Sequence, residues 1–319
     1  MRALVQSLGA GDATAAGYAA GVVFALTAYS SECQAAIVAA GGIPPLVELL
    51  APLAPLYVQL QAVDSLCYLS SSCPEHLIKI ASAGGIPPII ALLESPSVDV
   101  QESAACALRN LSGIDENRVK VAAAGGILRL IALLVSPSIG VQRCAASALR
   151  NLSINVANRI TIAAAGGIPL LIALLASPSV SVQEAAADTG DLCLNVENRA
   201  ALASAGGSAP LIALLASPSV DVQASAASAL RNFCVNAENS ITIAAAGCIP
   251  PLIGLLASPS AKVQEQAAGA LGNLSGIFAN KSMILSGGAI PRLCALLGSP
   301  SVFAVRANAA ATLRNLGVK

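Results

Sequence analysis

The chain has 319 residues, of which 55% are hydrophobic, 11% charged and 3% aromatic; 17 basic side chains balance 17 acidic ones, for a formal net charge of zero. A soluble domain carries about 25% charged residues, and a neutral, charge-poor chain lacks the electrostatic footprint of a nucleic-acid or membrane-surface binder. One histidine and no tryptophan leave little material for acid–base or metal chemistry, and the many Ala, Leu, Ile and Val residues exclude wholesale disorder.

From the N-terminus, Met1 to Ser7 carry one charge and meet the turn Gly9-Ala10-Gly11-Asp12 before any long apolar run, so no signal peptide is expected. Residues 2–30 read as two helices. Residues 32–70 follow with an irregular turn, Ala51-Pro52-Leu53-Ala54-Pro55, and all four tyrosines (Tyr18, Tyr29, Tyr57, Tyr68) lie in the first 70 residues. Beyond them the chain repeats itself. Ser-Pro-Ser begins at Ser95, Ser136, Ser177, Ser217, Ser258 and Ser299, with gaps of 41, 41, 40, 41 and 41. Gly-Gly begins at Gly41, Gly84, Gly125, Gly166 and Gly206, becomes Gly247-Cys248, and returns at Gly287. Two markers with one period define an internal repeat.

Each unit reads as three helices. The first opens near Glu116-Asn117-Arg118, where Asp115 or Asn117 can cap orphan amides, and closes at Gly125-Gly126, because glycine tolerates the left-handed backbone of a helix end. The second starts at prolines such as Pro87-Pro88, Pro169 or Pro250-Pro251, where a missing N–H costs nothing. Its run Ile89-Ile90-Ala91-Leu92-Leu93 is apolar on most sides and should be enclosed. After the Ser-Pro-Ser turn the third helix begins near Asp99 or Ser181, with Glu102 or Glu184 three residues on, at capping-box spacing. It continues through Val100, Ala104, Ala105, Leu108 and Leu111, an i, i+4, i+8 stripe.

The uncharged stretch Ile160 to Gln183 is broken by Gly166-Gly167, Pro169 and Ser177-Pro178-Ser179, so it does not read as a membrane span. None of the nine cysteines forms a CxxC pair; Cys106, Cys144, Cys193, Cys234 and Cys294 stand in apolar helical patterns and read as small buried hydrophobes of a reducing compartment. Cytoplasm or nucleus is therefore the expectation. The Asn-x-Ser triplets at Asn110, Asn151 and Asn273 recur at one helical position and read as repeat signature rather than glycan acceptors.

A unit such as Glu116-Asn117-Arg118…Ala124-Gly125-Gly126-Ile127…Leu133-Leu134…Ala148-Leu149-Arg150-Asn151-Leu152-Ser153 resembles the armadillo repeat, in a flavour similar to the arrays beside plant U-box ubiquitin ligases, although no U-box is present. The resemblance implies an all-α, right-handed α-solenoid of three-helix armadillo repeats, one array over residues 1–319. Full repeats fall at 32–70, 74–112, 116–153, 157–194, 197–234, 238–275 and 279–316, after the partial repeat 2–30. Stacked repeats leave the third helices as one wall of a concave face; at 8–10 Å per helix, eight units make a ladder of roughly 80 Å.

The residue just before the Leu-Ser end of each third helix gives the series Tyr68, Asn110, Asn151, Asp191, Asn232, Asn273 and Asn315. Armadillo proteins of the importin-α and β-catenin type use this Asn to hold the backbone of an extended partner. The resemblance implies that role for the five asparagines, while Tyr68, Asp191 and, in the partial repeat, Ala28 depart from it. The same Asn also reads as a helix-end cap or a bond to its neighbour's loop. Beside the ladder run Arg109, Arg150, Arg231 and Arg314, interrupted by Cys67, Gly190 and Gly272. They could clamp carboxylates or phosphates, or form local ion pairs on a solvated helix end. Glu184, Asp188 and Asp191 form an acidic group in one third helix, so a mixed groove and a partner of alternating charge are expected. One turn earlier, Phe24, Asp64, Cys106, Ser147, Ala187, Ser228, Gly269 and Ala311 occupy the place where importin-α has a tryptophan row. Without tryptophan this column cannot cage long cationic side chains, and nuclear-import cargo is not expected.

His76, in Pro74-Glu75-His76, reads as an exposed helix-start residue. No triad excludes it, no metal spacing exists and the Gly-Gly turns lack a phosphate-loop context, so neither enzyme activity nor a cofactor is expected. The partner expected is a protein or peptide with an extended segment, not a nucleic acid or a membrane. Two rival readings are a self-associating structural array and an engineered, consensus-like scaffold. The chain opens at a second helix and stops after a third, at Lys319. That end would leave Val302, Val305, Ala309, Ala310 and Leu313 facing nothing, and end-to-end self-association would cover them.

Overall fold

The computed structural model describes residues 1–9, 13–298 and 302–318. The turn through Ala10-Gly11-Asp12, the last Ser-Pro-Ser triplet at Ser299 and Lys319 lie outside the described residues. Helices make up the chain and no strand occurs among the described residues. The helices fall into two compact units, Met1–Ala165 and Gly166–Lys319.

In the first unit, Arg2–Leu8 and Ala13–Tyr29 precede three triplets: Ser31–Ala39, Ile43–Glu48 and Leu56–Ser72; Pro74–Ser82, Ile86–Leu92 and Val98–Leu111; Asp115–Ala123, Gly126–Leu133 and Ile139–Leu152, followed by Val156–Ala164. The third helices stack side by side, Leu56–Ser72 between Ala13–Tyr29 and Val98–Leu111, and the latter against Ile139–Leu152. Their stripe buries completely: Val100, Ala104, Ala105, Leu108 and Leu111 have no exposed surface. Small alanines at the contacts let neighbouring helices approach closely, which compensates for their modest apolar area.

In the second unit, Gly167–Leu174 and Val180–Ala187 lead into a 3₁₀-helix, Asp188–Leu194. Three triplets follow: Val196–Ser204, Ser208–Leu214 and Val220–Phe233; Ala237–Ala245, Ile249–Leu255 and Ala261–Leu274; Phe278–Ser286, Ala289–Gly298 and Phe303–Leu316. Here Val220–Phe233 packs between Asp188–Leu194 and Ala261–Leu274, which in turn holds Phe303–Leu316. The stretch Ile160 to Gln183 divides among separate short helices, and no single described helix is long and apolar enough to cross a membrane.

The caps differ from the sequence expectation. The third helix is capped not at Asp99 but at the second serine of the turn: the hydroxyls of Ser97, Ser138, Ser219 and Ser260 accept from Val100, Val141, Val222 and Val263 N–H, while Ser179, at the helix that begins near Ser181, makes no side-chain cap bond. Six residues after the first serine, Gln101, Gln142, Gln183 and Gln223 each donate to that serine's carbonyl at 2.8 Å. The turn thus closes on itself, and a glutamate at capping-box spacing is superfluous. First helices are capped by Ser30, Asn155, Asn195 and Asn236. Asp115 and Asn117 cap nothing, because the helix already starts at Asp115. Asn117 turns inward and donates to Leu111 O at 3.0 Å, as Asn158 and Asn280 do to Leu152 O and Leu274 O. His76 holds the same place: it is 7% exposed, with Nδ1 3.0 Å from Leu69 O. It is a buried tie between helices rather than an exposed helix start.

The first glycine of each pair takes the left-handed backbone, for example φ +78° at Gly125. In the last repeat that residue is Gly288 (φ +74°), while Gly287 is right-handed helical. The pair that matters there is Gly288-Ala289, 41 residues after Gly247, and the period holds where the Gly-Gly spelling slips by one. In the last helix, Val305, Ala309 and Leu313 are buried, because the stripe of Phe303–Leu316 points to Ala289–Gly298 and Ala261–Leu274. Of the five residues expected to face nothing, only Val302 and Ala310 are exposed.

The fourth repeat carries the fold's main irregularity. From Ser177 to the cap Asn195 is 18 residues, whereas Ser136 to Asn155 and Ser217 to Asn236 are 19. A residue lost inside a helix shortens it and turns all that follows by about 100°. The chain responds by winding Asp188–Leu194 as a 3₁₀-helix, which rises about 2.0 Å per residue instead of 1.5 Å. The ladder residue Asp191 therefore returns to register. A small apolar cavity of about 30 Å³ remains beside it, lined by Ile168, Leu171, Ala186, Gly190, Leu192 and Leu211 among others.

Candidate peptide-binding groove

The ladder carboxamides form one repeated hydrogen bond. In the first unit Asn110 Nδ2 donates to Cys67 O at 3.2 Å and Asn151 Nδ2 to Arg109 O at 2.8 Å. In the second, Asn232 Nδ2 donates to Gly190 O at 3.4 Å, Asn273 Nδ2 to Arg231 O at 2.8 Å and Asn315 Nδ2 to Gly272 O at 3.2 Å. Each acceptor is the residue just before the preceding rung, so Tyr68 and Asp191 occupy true ladder positions. Arg109 O and Arg231 O belong to the last turn of a helix, where carbonyls lack an intrahelical partner. One N–H of each asparagine thus bridges repeats, to the neighbour's third helix rather than to its loop.

A carboxamide offers two N–H donors and an acceptor oxygen, so what remains differs from rung to rung. Asn110 is filled: its amide also donates to Ser70 Oγ at 3.0 Å, and its Oδ1 accepts from Arg109 Nε and Nη2, both at 3.2 Å. Asn151 Oδ1 accepts from Arg150 Nη1 at 3.4 Å, which leaves one N–H. Asn232 divides its donors between Gly190 O and Asp191 Oδ1. At Asn273 and Asn315, no described residue donates to Oδ1, and each retains a second N–H. Asn273 is half-buried and Asn315 exposed.

The arginines are local partners. Arg109 covers its own ladder residue and reaches Cys106 Sγ at 3.3 Å. Arg150 is exposed. Arg231 Nη1 donates to Gln266 Oε1 at 3.3 Å and lies 4.0 Å from Glu265. Among the acidic group, Asp188 accepts from Ser225 Oγ and Asp191 from Asn232. Asp64 accepts from Ser103, and burial holds its carboxyl above the usual carboxylate range. At the first rung Phe24 and Tyr68 tilt together with ring centroids 5.9 Å apart, an aromatic pair in place of a carboxamide. Sequence columns missed one feature. Cys67, Cys106 and Cys144 stand in three different columns, yet line the same open cavity of about 460 Å³ with Arg109 and Asn110. Cys106 is half-exposed rather than buried, and Cys294 is exposed.

Comparison with known proteins agrees with this geometry. The armadillo/beta-catenin-like repeat profile matches residues 30–71, 73–113, 115–154, 155–189, 195–235, 236–276 and 279–318. Its fourth match stops at 189, inside the 3₁₀ segment. No curated protein matches the chain by sequence at a significant level. Among solved structures, an engineered protein from a structural genomics consortium is 33% identical with TM-score 0.93, over 99% of this chain and 78% of that one. A designed armadillo repeat protein is 29% identical with TM-score 0.69, over 73% of this chain and 99% of its own. Computationally designed armadillo repeat proteins for modular peptide recognition are similar at 29% identity and TM-score 0.67, over 72% of this chain and 99% of theirs. With its three-helix units, left-handed glycines and ladder of inter-repeat carboxamides, the chain belongs to the armadillo-repeat family and is an all-α solenoid of such repeats.

Proposed function

We propose that the chain is a non-enzymatic scaffold that grips an extended peptide segment along its third helices. The observation that carries this reading is the residual hydrogen-bonding capacity of the ladder. Asn273 and Asn315 each keep a donor and an acceptor after bridging to the neighbouring repeat, and an extended strand presents an unpaired N–H and C=O at every residue. At about 3.3 Å per peptide residue and roughly 8–10 Å per helix, one rung serves about three residues. Similarity to designed proteins for modular peptide recognition supports the same use. The mixed charges of Arg231, Glu265 and Asp191 favour a segment in which acidic and basic residues alternate.

The test is fluorescence anisotropy with a library of extended peptides of about ten residues, varied in charge order. In the variant Asn273→Ala/Asn315→Ala each lost carboxamide pair removes about 1 kcal/mol, so the combined affinity falls roughly 30-fold while the helical circular dichroism is kept. A wild-type chain that captures no peptide, or a double variant that binds as tightly, sinks the reading.

A further inference from the structure

Three thiols meet in the first unit. Cys67, Cys106 and Cys144 come from Leu56–Ser72, Val98–Leu111 and Ile139–Leu152 and line one open cavity with Arg109 and Arg143. Cys106 is the middle member. Its helix packs between those of the other two, and Arg109 Nη2 donates to its sulfur at 3.3 Å.

The surrounding charges decide which sulfur loses its proton. From the helix of Cys67 comes Asp64, bonded to Ser103 and raised by burial toward its neutral form. The helix of Cys106 adds Asp99, Glu102 and Arg109, and that of Cys144 adds Arg143, whose Nη2 lies 3.5 Å from Glu102. Glu102 is thereby compensated, and the Arg109 guanidinium donates to Cys106 while two further thiols line the same cavity. Donors directed at one sulfur stabilise its thiolate. Hydrogen bonds from Cys144 and Cys67, then Arg109 and Arg143, hold the Cys106 thiol far below its ordinary range. The same hydrogen bond, with burial, pushes Cys67 and Cys144 up, so they stay protonated. One nucleophile thus stands between two proton-bearing thiols.

We propose that Cys106 is a covalent-modification site, a thiolate nucleophile for small peroxides entering this cavity, with an adjacent thiol supplying the second sulfur of an inter-helix disulfide. The thiolate attacks the distal peroxide oxygen; the S–O bond forms, the O–O bond breaks, and the leaving alkoxide or hydroxide takes a proton from solvent, giving a sulfenic acid and an alcohol or water. The thiol of Cys67 or Cys144 then attacks that sulfur. The S–S bond forms, and the displaced hydroxide leaves as water with the attacking thiol's proton. The peroxide is reduced by two electrons and the two thiols are oxidised by two. The chemistry does not depend on the peptide reading.

The pH slope is the discriminating readout, since a thiolate of low pKa is also a weaker nucleophile and its rate at neutral pH is not diagnostic. With iodoacetamide as probe and peptide mapping as readout, alkylation of free cysteine in the same buffers falls roughly 100-fold between pH 7 and 5, tenfold per unit below an ordinary thiol pKa. Cys106 falls much less steeply, because the Arg109 donor favours its thiolate. Arg109→Gln, checked for unchanged circular dichroism, restores a fall with acid at Cys106. Equimolar hydrogen peroxide then gives a chain lighter by two hydrogens, with Cys106 linked to Cys67 or Cys144. A Cys106 profile that falls in step with free cysteine, or one that Arg109→Gln leaves untouched, overturns the proposal. So does a Cys106 recovered after peroxide as free thiol, or oxygenated without a bridge.

Discussion

Phe233→Ala is expected to destabilise the chain by about 3–5 kcal/mol, the range for emptying a buried aromatic site. Phe233 is 1% exposed and closes the third helix Val220–Phe233 at the place where Leu111, Leu152 and Leu274 close theirs. Its helix is held on three sides, by Asp188–Leu194, Ser208–Leu214 and Ala261–Leu274, so the site has little freedom to collapse. Phe233→Leu, which installs the side chain of the sister repeats, costs less than about 1.5 kcal/mol. Urea denaturation followed at 222 nm compares the two. Because a repeat array transmits stability mainly to nearest neighbours, hydrogen exchange should locate the loss in Val220–Phe233 and the helices beside it. A Phe233→Ala chain less than about 1 kcal/mol below wild type would mean that the neighbours close over the gap.

Gly190→Ala is expected to destabilise by about 1–3 kcal/mol, opposite in sign to the usual gain of about 0.5–1 kcal/mol for replacing a helical glycine by alanine. A Cβ at Gly190 would stand 2.7 Å from both Cα and Cβ of Ala229. Ala229 lies in the middle of Val220–Phe233, and a backbone atom there cannot step aside without moving the helix. Glycine at this place lets the tightened 3₁₀ segment lie against the next third helix, and Asn232 reaches Gly190 O across the same contact. Gly254→Ala, where an added Cβ meets nothing within 4 Å, is the control and should be neutral or stabilising. Thermal unfolding of the two variants decides the matter: a melting temperature for Gly190→Ala at or above wild type would show that the fourth repeat is looser than its packing implies.

Periodicity carried much of the fold because its causes are local. A left-handed helix end asks for glycine at Gly125 whatever surrounds it, and the spacing of Val100, Ala104, Leu108 and Leu111 places one stripe inward in any three-helix packing. The ladder positions are equally legible, since they follow from counting back from the end of each third helix. Hydrogen-bond partners are not. Asn117 beside the first-helix start looks like a cap and proves to be an inward tie to Leu111 O. His76, read alone as a surface residue, holds the equivalent tie because the preceding repeat offers Leu69 O at the right depth.

The cysteine cluster shows the limit most directly. Cys67 and Cys106 are 39 residues apart and Cys106 and Cys144 are 38, against a repeat of 41, so no column of the repeat aligns them. They meet because helices side by side are staggered, and a residue's lateral neighbour lies a few positions off its repeat equivalent. The Asn151 bond to Arg109 O, at 42, displays the same stagger in the other direction. The sequence alone determined the three-helix repeat, its stripe, its left-handed glycines and the rungs of the ladder, because each rests on short-range stereochemistry or on a period. The tertiary structure alone decided which rungs are already filled, how the fourth repeat absorbs a missing residue and which sulfur stands between two others, because these depend on the lateral offset of neighbouring helices, which no single helix encodes.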